Sequence, residues 1–189
     1  MELKVIVNPI EGAGPAKRLL SNLFHGCGYS FYLSESRLRL DDLLVRVKLH
    51  QLVRESHAHL RLLEAAFRAD HPRSNQDHPY PDPYDVAELQ ALQRAARELK
   101  AMETAIAGAE VPEFRPVDQR MSQDRGTLEQ LVILDGETLL ALVTLRDAVA
   151  RFTDGTSAAA AMDDLLRASN FNALWSRRDA LLTAESDTQ

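Results

Sequence analysis

The chain has 189 residues, with 22 Lys and Arg against 28 Asp and Glu, a net charge of −6. Hydrophobic residues make up 45% and charged residues 26%, an ordinary globular mix that excludes a collagen-like, disulfide-framework or long disordered chain. One domain is expected at this length, able to bury roughly 70% of its unfolded surface without a metal or a disulfide.

The N-terminal segment is unlike the rest. Val5-Ile6-Val7 reads as a strand, followed by the turn Asn8-Pro9 and a glycine-rich link over 11–15. Its apolar run is too short for a secretory signal. Residues 21–33 then hold two of the four tyrosines and two of the six phenylalanines. The glycines there let the backbone bend, and the rings supply rigid contact area. Phe24, His25, Tyr29, Phe31 and Tyr32 are therefore the candidate partner-binding residues. His25 and the single cysteine, Cys27, form a conceivable nucleophilic pair. With no orienting acid or oxyanion donor identifiable, no catalytic residue is assigned. A lone cysteine also precludes an intrachain disulfide.

From Ser36 to Asp70 the chain lacks proline, and Leu38, Val45, Leu49, Leu52, Leu63 and Ala66 follow the spacing of one helix face. Leu40, Leu43, Leu44 and Val47 add a second apolar stripe. Such a helix is about 50 Å long, against a radius of gyration of about 16 Å for a compact domain of this size. It must kink or belong to an elongated bundle. Arg46, His50, Arg54, His57, Arg61 and Arg68 share another face of it, a basic stripe softened by Glu64. His59 falls on the apolar side.

The linker after Asp70 repeats Asp-His-Pro, at 70–72 and 77–79. The commoner role of such a proline-rich stretch is a stiff connection, so no metal site is assigned. Asp85 with Glu88 predicts the N-cap of a second helix, seamed by Leu89, Leu92, Ala96, Leu99 and Ile106 and ended by Gly108 and Pro112. It should return antiparallel as a helical hairpin. Thr127 with Gln130 predicts a third helix, over 128–152. Asp135-Gly136 competes as a hairpin turn, but neither flanking apolar run alternates with period two, so helix is preferred. The charges within 128–149 also exclude a membrane span there. After a turn at Asp154-Gly155-Thr156, residues 157–168 and 170–184 predict two shorter helices.

One resemblance follows from these pieces. The strand, Asn8-Pro9, Gly12-Ala13-Gly14 and the helical run 16–20 resemble the phosphate-binding opening of lipid and diacylglycerol kinases. Asp154-Gly155-Thr156 is similar to part of that family's Gly-Gly-Asp-Gly-Thr. The resemblance implies a nucleotide or phosphate site on segment 11–18, where glycine-rich backbone meets a helix start. It spans two short pieces. Phe152-Thr153 stands where the family has its glycine pair, and the residues before it read as helix where the family has a strand.

The expectation is a mostly α protein: an antiparallel bundle of four to five helices over 34–189, one of them overlong. Residues 1–33 form a strand-like arm and aromatic loop on the same domain. Its expected role is that of a non-enzymatic, cytoplasmic interaction or scaffold protein without cofactors, forming a homodimer because one hairpin partner cannot cover the overlong helix. The alternatives are phosphate binding at 11–18 and nucleic-acid binding on the basic stripe. The acidic total disfavours the latter. Residues 1–69 carry a net +3 and residues 70–189 a net −9, so the two parts are expected to dock on each other.

Overall fold

The first helix, α1, runs unbroken over Leu38–Asp70 for 33 residues. In this computed structural model, residues 38–71, 82–109 and 123–183 are described. The strand-like arm, the aromatic loop with Phe24, His25, Tyr29, Phe31 and Tyr32, the glycine-rich segment 11–18 and the linker 72–81 lie outside the described residues. Among those described, every regular element is a helix: α2 is Pro83–Gly108, α3 Gln123–Val149, α4 Gly155–Ser169 and α5 Phe171–Thr183.

Polar contacts fix the directions. Arg46 Nη1 donates to the Ala109 carbonyl at 2.6 Å, and His71 approaches Asp85 at 3.8 Å, so α2 runs antiparallel to α1. Arg146 of α3 meets Glu55 at 3.5 Å, and the His59 ring bonds the Phe152 carbonyl at 3.0 Å. Thus α3 lies beside α1 and parallel to it. Thr156 donates to Glu88 at 2.9 Å and Arg94 approaches Asp163 at 3.8 Å, which sets α4 along α2. Finally, Arg178 and Arg177 of α5 reach back to Asp135 and Glu137 of α3.

A single residue separates α4 from α5. Asn170 adopts the left-handed conformation, φ 49°, and its N–H bonds the Arg167 carbonyl. Asparagine tolerates this region better than most residues and commonly ends helices there. The pair therefore forms a broken fourth rod, and the bundle has four rods of similar length. The long helix expected over 36–70 is present as α1, the longest described helix with 33 residues, and beside it run α2 with 26 residues, α3 with 27, and α4 and α5 with 15 and 13. The bundle is elongated, and α1 needs no kink.

The core runs the length of the rods. Val45, Leu49, Leu52, Leu60 and Phe67 from α1 pack with Leu92, Leu99 and Ile106 from α2. Leu139, Leu142 and Val149 of α3 and Met162 and Phe171 beyond it complete the cluster.

Three helix starts differ from expectation. The N-cap of α2 is Asp82, whose Oδ1 accepts from the Tyr84 N–H at 2.8 Å, rather than Asp85. Pro83 explains the shift, because its fixed φ and missing donor suit the first helical position. Helix α3 begins at Gln123, upstream of Thr127, and passes through Asp135-Gly136 without a turn. Asp154 caps α4 through the Ser157 N–H at 2.8 Å, so helix begins at Gly155. Gly155 is buried, and a Cβ there would lie 2.7 Å from Phe67 Cβ. Close packing on α1 thus demands glycine at this helix start.

Candidate functional site

The basic stripe of α1 divides into two kinds of residue. At its N-terminal end Arg46 is buried, 8% exposed, and closes α2 by bonding the Ala109 carbonyl. His50 lies 3.2 Å from Glu103 of α2. Farther along, His57, Arg61 and Arg68 line a groove between α1 and α2, together with Glu64. Arg97 and Lys100 form the opposite wall, with Gln93 and Ala96 between. The groove is open and encloses about 420 Å³.

Helical spacing builds this arrangement. Residues 57, 61, 64 and 68 recur at intervals of three and four, so they stack along one face. Residues 93, 97 and 100 do the same on α2. The antiparallel register brings the two rows together over about 16 Å, the rise of the eleven residues from 57 to 68.

Glu64 is the unexpected member. It is 2% exposed, yet it is no orphan: Arg61 Nη1 and Arg68 Nη2 each donate to one of its oxygens at 2.6 Å. The two arginine side chains are 57% and 43% exposed. A buried carboxylate therefore holds two solvent-facing cations at fixed positions. Charge-assisted bonds of this length are the strong kind. Arg97 makes no ion pair with any described residue. Lys100 bonds Glu103 at 2.8 Å.

Burial holds the His57 imidazole below its ordinary pKa, with Glu103 opposing the shift and Lys100 and Arg61 adding to it. The Glu103 carboxyl lies below its own ordinary value, chiefly through the hydrogen bond from Lys100. At neutral pH the groove thus holds four permanent cations, a neutral His57 and the buried Glu64 carboxylate.

Among the described residues, the expected docking of a basic first part on an acidic second part holds only at His50–Glu103. Arg61 and Arg68 find their carboxylate on α1 itself. Between α1 and α3 the polarity is reversed, since Glu55 comes from the basic part and Arg146 from the acidic part. Local helical spacing supplies a nearer partner than tertiary docking does.

A second carboxylate–guanidinium pair lies at the far side of the bundle. Asp135 and Arg178 are both 0% exposed and meet at 2.8 Å. The Arg178 guanidinium also sits 5.0 Å from the Trp175 ring centroid, and Trp175 stacks on Phe171. This explains why Asp135-Gly136 is no turn: the aspartate is needed inside the helix, facing α5. Thr138 is equally buried and returns its hydroxyl to the Leu134 carbonyl at 2.7 Å.

Of the other candidates, His59 is half-buried, as its place on the apolar side suggested, and bonds Phe152. His71 stacks on Phe67 and bonds its carbonyl at 3.0 Å, ending α1. No group of three or more His, Cys, Asp or Glu among the described residues is placed to hold a metal. Asp154-Gly155-Thr156, the piece similar to the lipid-kinase motif, supplies the N-cap and first residues of α4, and Arg146 to Val149 upstream of it are helical rather than a strand. No helix among the described residues is long and apolar enough to cross a membrane.

Several large aliphatic side chains face solvent. Leu43 and Val47 stand one turn apart on α1, 50% and 57% exposed. Ile133 and Leu140 of α3 are 49% and 53% exposed. The Glu55–Arg146 register sets all four at the same end of the bundle.

No protein-family model matches the chain, and the comparisons with characterised proteins and with solved structures find no match.

Proposed function

We propose that this chain is a non-enzymatic helical interaction or scaffold protein that pairs with a second copy of itself. The observation that carries the reading is the exposure of Leu43 and Val47 on a helix whose inward face is already complete. Val45 and Leu49, on the same turns, are 0% exposed and fill the core. The outward pair is therefore surplus to the bundle. Ile133 and Leu140 enlarge the apolar area at that end. A two-fold axis beside α1 sets Leu43 and Val47 of one copy against the same pair of the other, the commonest way for a protein to associate with itself. The motive is thus local, resting on exposed side chains rather than on the length of α1.

Light scattering across a wide concentration range tests this. A mass of two chains is expected, falling to one chain in Leu43→Glu/Val47→Glu. A single-chain mass for the unaltered protein at every concentration overturns the reading.

A further inference from the structure

We propose that the groove between α1 and α2 binds a small anion carrying several phosphate groups. The inference goes beyond self-association and rests on different residues. Arg61, Arg68, Arg97 and Lys100 bring four permanent positive charges to about 420 Å³ of open space. One carboxylate, Glu64, faces them from within. Each of its arginines spends one nitrogen on it, and the rest of each guanidinium fork remains for a ligand. Like charges this close repel, so an anion that enters is drawn in by the whole set.

The dimensions favour a compact ligand. The cationic stretch ends in carboxylates at both sides. Glu103 lies beyond Lys100, held by His50 and Lys100. Asp85 lies beyond Arg68, facing His71. A long polyanion leaving the groove meets these acids and a chain of net charge −6. A short polyphosphate places three or four negative charges within the groove's length of about 16 Å. Its tetrahedral oxygens also suit the planar guanidinium fork, which binds phosphate through paired N–H groups. Gln93, one helical turn before Arg97, adds a neutral donor to the groove. The source of the phosphates, a free polyphosphate or a nucleotide, is left to the experiment.

Calorimetric titration of the full chain with inorganic tripolyphosphate, at low and moderate salt, tests the proposal. One-to-one binding that weakens with salt is expected. Arg97→Ala/Lys100→Ala, two exposed positions whose loss leaves circular dichroism unchanged, should weaken it by about tenfold or more. Arg97→Glu alone should act in the same direction. Arg54→Ala/Arg151→Ala, which removes two exposed cations outside the groove, should leave affinity unchanged. A nucleoside triphosphate that binds more tightly than tripolyphosphate identifies the nucleotide as the source. Equal or weaker binding identifies the phosphate chain alone. The proposal is overturned by the absence of binding at millimolar tripolyphosphate. It is equally overturned if citrate binds as well, if a single-stranded oligonucleotide binds more tightly, or if the Arg54/Arg151 pair matters as much as the groove pair.

Discussion

The α3–α5 seam and the α1–α2 groove use the same chemistry for opposite ends. In the seam, Asp135 and Arg178 are both fully buried and joined at 2.8 Å. In the groove, Glu64 is almost as buried, but its arginines are about half exposed. Burying both charges costs desolvation on each side, and the gain is a specific docking of α5 on α3. Burying only the acid costs less. It also leaves two cations in water, held in position by the groove wall. The first arrangement fastens the fold, whereas the second presents charge to the outside.

This contrast sets the scale of what substitution should do. The largest effect belongs to the seam. Asp135→Ala leaves the Arg178 charge buried beside Trp175 and should cost about 3–5 kcal/mol in urea unfolding. The double change Asp135→Leu/Arg178→Met should recover most of that loss, since a well-packed apolar pair can replace a buried ion pair. A double variant no more stable than the single one would show that the pair contributes more than docking.

Glu64→Gln keeps the shape but removes the charge between Arg61 and Arg68. Because both arginines reach solvent, the loss should be only about 1–2 kcal/mol. A cost equal to that of Asp135→Ala would erase the distinction between the two regions.

The smallest effect is the pH response of His57. Its folded pKa lies below the unfolded value, so the native state resists taking up this proton. The stability associated with neutral His57 is full above the unfolded value, near 6.5, and is lost as pH falls through the folded one. His57→Gln should therefore flatten the stability profile on the acid side and change little above neutrality. Thermal unfolding of both proteins from neutral to mildly acidic pH measures this. An unchanged slope would mean that acid acts elsewhere.

Legibility in the sequence followed the range of the interaction. The long helix was visible in the spacing of Val45, Leu49 and Leu52, and its end at Asp70 in the linker that follows. The hairpin with α2 was visible as well, since its seam repeats every three to four residues. The groove's four cations, however, were seen only as a stripe on one helix or not at all. Arg61 and Arg68 were legible by spacing, whereas Arg97 and Lys100 became relevant only when the α1–α2 register placed them opposite. Asp135 carried one usable signal. A carboxylate between the apolar runs 131–134 and 139–143 must find a buried partner if the whole stretch is helical. Nothing in the sequence pointed to Arg178, 43 positions away, as that partner.

By itself, then, the sequence determined the helical rods, because helix spacing, caps and breakers are local. It also determined the uneven charge along the chain, though not which charges would meet. Tertiary structure decided that α3 lies beside α1, that α4 and α5 together make up the fourth rod, and that one carboxylate is welded in while another holds cations open. Those outcomes depend on which helix faces meet and in what register. Pairing across the bundle joins residues whose separation along the chain carries no periodic trace.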